Sequence, residues 1–120
     1  MLVWVGCDMN IVTGDDVEPV EAVEHVHLSQ MASGASMSVQ SFQIEPGADV
    51  PEHSHPHEQA GYITQGTVTF IIDGTEQIIE AGDSYVISGG ETHGAVNDGT
   101  VTVEGVDIFS PPRTNPDWQQ

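Results

Sequence analysis

The sequence predicts an all-β fold, a single closed antiparallel barrel, and three observations carry that reading. Apolar residues fall in short runs separated by turn signals, no stretch keeps a sustained helical period, and Asp73-Gly74 lies between two strand-like runs as a two-residue hairpin signal. At 120 residues the chain fits one domain with one core, and a barrel of that size can enclose a ligand pocket.

Taken in order, Met1 to Asn10 is apolar but short and has no basic leader, so it reads as a strand and not as a signal peptide. Residues 10 to 24 are acidic and loop-like, with Gly14 and Pro19. His25 and His27 alternate with Val23, Val26 and Leu28 and read as ordinary residues of an early strand. Met37 to Ile44 forms a strand that ends at the Glu45-Pro46-Gly47 turn, and Val68 to Ile72 and Thr75 to Ile79 flank the hairpin. Tyr85 to Ser88, His93 to Asn97 and Val101 to Phe109 supply further strands. The chain thus divides into amino-terminal strands and an acidic loop over 1–36, a barrel core over 37–110 and a tail over 111–120. No repeat, low-complexity segment or apolar run of membrane-spanning length is evident.

Four side chains suited to one metal ion stand in two short stretches: His53, His55 and Gln59 in the first, His93 in the second. On an extended strand, side chains two apart share a face about 7 Å apart, so His53 and His55 can converge on one ion. His93 must arrive from a distant strand, which a closed barrel allows. His57 and Glu58 lie between ligand positions, and Pro56 disturbs the alternation there, so they read as rim or supporting residues. Divalent zinc, nickel, cobalt, manganese and ferrous iron all accept imidazole and amide oxygen, and the ligand set does not choose among them.

In the last strand Val101, Val103, Gly105, Asp107 and Phe109 share one face if the alternation is regular, so Asp107 sits among apolar neighbours. Desolvation there raises a carboxyl pKa, which makes Asp107 a candidate general acid or base. Arg113, in the stiff segment Ser110-Pro111-Pro112-Arg113, is the only Lys or Arg in the chain. Its planar guanidinium suits a substrate carboxylate near the metal, and equally a structural ion pair. Tyr62 and Gln43 are further candidates for the cavity lining.

The charge balance is extreme, with 19 acidic residues against one cationic residue and a formal net charge of −18. Self-repulsion of that size is tolerable where salt shortens the screening length to about 3 Å, which points to a salt-rich cytoplasm such as that of a halophile. Nucleic acid and anionic membrane partners are disfavoured, because no basic patch is available. The single Cys7 excludes an intrachain disulfide and fits a reducing cytoplasm.

The first stretch reads Gly47-x5-His53-x-His55-x3-Gln59-x6-Gly66 and the second Gly82-x5-Ser88-x-Gly90-x2-His93-x3-Asn97. These stretches resemble the paired motifs of the cupin superfamily, which implies a single-domain jelly-roll barrel, one bound divalent ion and, by default, a homodimer. Gln59 stands where cupins usually carry Glu and Ser88 where they usually carry Pro. An amide in place of a carboxylate leaves a divalent ion doubly cationic, hence a stronger Lewis acid and a stronger anchor for an anionic ligand.

His-Ser-His-Pro-His-Glu-Gln at 53–59, Gly-Tyr at 61–62 and Asp-Ile-Phe-Ser-Pro-Pro-Arg at 107–113 are similar to the KdgF-type pectin-degradation cupins. That resemblance implies ring opening of cyclic 4,5-unsaturated uronates to linear 4-deoxy-5-keto-uronates. It would place the metal on His53, His55, Gln59 and His93, and the substrate, an acidic sugar, against Asp107, Phe109 and Arg113, with Tyr62 a further lining residue. Two alternatives share the ligands. A small cupin dioxygenase would need iron and oxygen and could dispense with Arg113, and a non-catalytic sugar-binding cupin would tolerate loss of Asp107.

Overall fold

A computed structural model describes residues 9–114 and 116, so the expected strand at Met1 to Asn10 and Cys7 lie almost wholly outside the described residues. Ten strands follow one 3-10 turn at Gly14–Asp16: β1 Val20–Val23, β2 Val26–Ser33, β3 Ser38–Ile44, β4 Asp49–His53, β5 Glu58–Gln65, β6 Thr67–Ile72, β7 Thr75–Glu80, β8 Ser84–Ile87, β9 His93–Val96 and β10 Val103–Ser110. They form a six-stranded sheet, β1-β2-β3-β10-β5-β8, and a four-stranded sheet, β4-β9-β6-β7, antiparallel throughout. The chain is all-β, as its patterning predicts.

Asp73 and Gly74 both adopt positive φ, 48° and 79°, which is the twist a two-residue turn needs to join β6 to β7. Part of the acidic loop expected over 10–24 is instead β1, which pairs with β2 across a tight turn at Glu24-His25. His25 is therefore a turn residue at φ 64° and not a strand residue, and its N–H donates to Glu21 Oε2 at 2.8 Å. No Gly or Asn marks this turn, which is why the pattern hides it. His27 does lie in β2, and Glu45 Oε2 is 2.6 Å from its Nε2.

The two sheets enclose a core of Val26, Phe42, Ile44, Ile63, Val68, Phe70, Ala95 and Val103. Burying each of the larger apolar side chains contributes about 1.5–3 kcal/mol. The register shows where this core stops. Gly105 pairs with Phe42 and Ile63 in the apolar half, the next inward residue of β10, Asp107, pairs with Gln40 and Gly61, and then Phe109 pairs with Ser38 and Gln59. Three adjacent strands thus change together from apolar to polar inward positions. Asn97, the last residue of the second motif, is fully buried and ties the barrel's closing loop, donating from Nδ2 to the carbonyls of Ile44 and Val101 and accepting from Gly99 N–H.

Candidate functional site

The polar end of the barrel opens into a cavity of about 480 Å³ whose wall includes His53, Gln59, His93, Asp107, Phe109 and Arg113. That volume lies within the range of small-molecule sites, roughly 300–1,000 Å³. β4 ends at His53, so His55 stands not on the same strand but in the connection to β5, and the two rings still meet with centroids 5.8 Å apart. β9 delivers His93 directly opposite His53 in the ladder, with ring centroids 4.4 Å apart. One ring nitrogen from each of His53, His55 and His93 can be chosen so that all three lie within 4.8 Å of one another.

The rings are held the same way. Nδ1 of His53 faces the Pro51 carbonyl at 2.9 Å, Nδ1 of His55 the His57 carbonyl at 3.1 Å, and Nδ1 of His93 the Glu91 carbonyl at 2.8 Å. A carbonyl only accepts, so each Nδ1 carries the hydrogen and each Nε2 of the neutral ring offers its lone pair. Burial holds the His55 and His93 imidazoles below their usual range, which keeps them neutral. His93 Nε2 is buried with no hydrogen-bond partner. Gln59 Oε1 lies 3.0 Å from His55 Nε2, so two acceptor atoms face each other. Ligands bound at about 2.1 Å to one ion and at right angles lie about 3 Å apart, so a divalent cation resolves both the orphaned nitrogen and the facing acceptors. The residues present therefore fit a three-His, one-Gln metal site.

Asp107 lines the same cavity and is 6% exposed. Burial pushes its carboxyl up to about 6, against the opposing effects of hydrogen bonding from Tyr85 and Gln59 and of the Arg113 charge. The inward set Val103, Gly105, Asp107 and Phe109 holds, whereas Val101 precedes β10 and is exposed. Arg113 reaches the wall from beyond β10, its Cζ 5.3 Å from the centre of the Phe109 ring. Its backbone is pinned twice, by its N–H to Ser38 Oγ at 2.8 Å and by its carbonyl, which accepts from Gln30 Nε2 at 3.0 Å. The His57 ring packs edge-on to His55 and Phe109, and Glu58 points outward at the start of β5.

Tyr62 is not brought to this site. With Gln59 inward on β5, Gly61 and Ile63 are inward too, and Tyr62 stands on the outer face, 49% exposed. Gln43 is displaced by the same parity, since Gln40 and Phe42 take the inward positions of β3. The tyrosine that does line the cavity is Tyr85 of β8, whose hydroxyl donates to Asp107 Oδ1 at 2.5 Å. Its alternation with Ile87, between outward Ser84 and Val86, was the available signal. Burial and the neighbouring carboxylate raise the Tyr85 pKa, so the phenol stays protonated.

Residues 40–109 match the cupin domain family (Cupin_2), and the chain belongs to that family. A curated relative, the pectin degradation protein KdgF of Dickeya dadantii (strain 3937), is 35% identical over 72 residues, which are 58% of this chain and 63% of that protein. The match thus spans less than two thirds of the relative. Among solved structures, KdgF from Halomonas sp. superposes with a TM-score of 0.80 at 22% identity, covering 89% of this chain and 97% of that one. The polyketide cyclase RemF from Streptomyces resistomycificus gives 0.76 at 18% identity over 86% of this chain and 80% of that one. At these identities the two structures speak for the fold. No helix among the described residues is long and apolar enough to cross a membrane.

Proposed function

We propose that this chain is a metal-dependent cupin that opens the ring of a 4,5-unsaturated uronate, giving the linear 4-deoxy-5-keto-uronate, in the breakdown of pectin or a related polyuronate. The observation that carries this reading is that His53, His93 and Gln59, with His55 grouped against the other two histidines, line one cavity with a buried carboxylic acid and the chain's one guanidinium. The likeness to the pectin degradation protein KdgF supports it.

The reaction is an isomerisation. The C1–O5 bond breaks as the C1 hydroxyl proton leaves, the freed oxygen becomes the C5 enol, and a proton added at C4 turns that enol into the C5 ketone. His53, His55, Gln59 and His93 would hold the divalent ion, which supplies Lewis-acid polarisation of a substrate oxygen. Asp107 is the proton carrier: an acid poised at about 6 can both hold and release a proton near neutrality. Arg113 binds the substrate carboxylate and fixes which carbon lies over Asp107. Phe109, only 1% exposed and under the Arg113 guanidinium, would pack on the sugar ring and keep water from the enol.

The test is a rate measurement on metal-loaded protein with 4,5-unsaturated galacturonate, following loss of the ultraviolet band of the conjugated enol ether. Decay above the spontaneous rate that falls in both Asp107→Asn and Arg113→Ala supports the reading. An unaccelerated decay with metal bound rejects it and directs the search to oxygen uptake or simple binding.

A further inference from the structure

Asp107, Gly61 and Tyr85 occupy one row across three strands: Asp107 of β10 pairs with Gly61 of β5, and Gly61 pairs on its other side with Tyr85 of β8. The phenol spans the middle strand to reach Asp107, because position 61 carries no side chain. A Cβ added at Gly61 would come within 2.5 Å of Tyr85 Cε1 and closer still to Cζ and Oη. Gly61 has no positive φ that would otherwise call for glycine, so close approach is the physical reason for it. Phe70 backs the Tyr85 ring, with centroids 4.7 Å apart.

We propose that Tyr85 is the positioning residue for proton transfer: its hydroxyl holds the Asp107 carboxyl group in one orientation in the cavity, and Gly61 is the gap that lets it do so. The proposal rests on the uronate reading above. Gln59 also donates to this carboxyl group, and a carboxyl held from two sides keeps one rotamer, which fixes where its proton meets the substrate. The phenol suits this role because it donates a hydrogen bond without competing for the proton. Neither Tyr85 nor Gly61 need touch the substrate for the effect to operate.

The test is a cycle of Tyr85→Phe, Asp107→Asn and the double variant, each metal-loaded, with kcat and KM measured on 4,5-unsaturated galacturonate. Tyr85→Phe is expected to lower kcat by about 10- to 100-fold with KM changed less than about threefold, and the double variant to be no slower than Asp107→Asn alone. Gly61→Ala keeps the phenol but moves it, and is expected to lose kcat as Tyr85→Phe does, so the test survives if the phenylalanine variant folds poorly. Wild-type kcat in Tyr85→Phe, or losses that multiply in the double variant, would overturn the positioning role while leaving the uronate reading intact. Absence of turnover by the unsubstituted protein would overturn that reading and this proposal with it.

Discussion

Replacing Gly61 by alanine perturbs the site without altering any charged or metal-binding group, so its cost can be worked from packing alone. The new methyl group would overlap the Tyr85 ring, and that ring is backed by Phe70 and tied to Asp107, so the phenol must leave its place. Losing a hydrogen bond to a buried ionisable group costs about 1.5–3 kcal/mol, and overpacking a filled site costs about 1–3 kcal/mol. The sum is about 2.5–6 kcal/mol, which for a domain of this size lowers Tm by roughly 10–25 °C. Thermal unfolding of Gly61→Ala, Tyr85→Ala and their double variant measures it, with Gly14→Ala as a control because a Cβ there meets nothing within 4 Å. Both parts vanish once the ring is gone, because Tyr85→Ala has already lost the hydrogen bond, so the double variant should fall short of the summed single losses by about 2.5–6 kcal/mol. A Gly61→Ala protein that melts within about 2 °C of the parent, or single losses that simply add, would refute the cross-strand reading.

In the metal-free protein Asp107, held at about 6, binds its proton more tightly folded than unfolded. Stability is therefore fully present below about pH 4 and falls as pH rises through about 6, by roughly 3 kcal/mol in all, and Asp107→Asn should flatten that part of a denaturant-midpoint profile. On the proposed function, Arg113→Ala should raise KM about 10- to 100-fold in steady-state assays through loss of a charge-assisted pair with the substrate carboxylate, with competitive inhibition by simple uronates weakened to match. A divalent ion at 100 times its dissociation constant should stabilise the fold by about 2.7 kcal/mol in a thermal-shift assay, and His93→Ala should abolish that shift.

Much of the site was legible because its signals are local. The inward parity of Asp107 and Phe109 follows from alternation along a strand, and Asp73-Gly74 announces its own turn, whereas His53, His55 and Gln59 meet through the end of one strand, a connection and the next strand and not by alternation along one. What the sequence hid depends on register between strands. Tyr85 reaches Asp107 only because β8 and β10 flank β5 in a particular alignment, and Gly61 has meaning only once both neighbours are known. Tyr62 was misplaced for a simpler reason: it follows Gly61 in an informative stretch, yet Gln59 inward makes position 62 outward. β1 was hidden because His25 takes a left-handed turn position without a turn residue to mark it.

The central claim is that Asp107 delivers a proton to C4 of an enol held in one orientation by Arg113. The most direct measurement is the reaction of metal-loaded protein with 4,5-unsaturated galacturonate in deuterated water, with the product read by proton NMR before it exchanges further. The account predicts deuterium on one face of C4 and a rate above the spontaneous one, with both faces labelled when protein is absent or carries Asp107→Asn. Deuterium on both faces at an accelerated rate would contradict a protein-borne proton carrier, and an unchanged rate would contradict the activity itself.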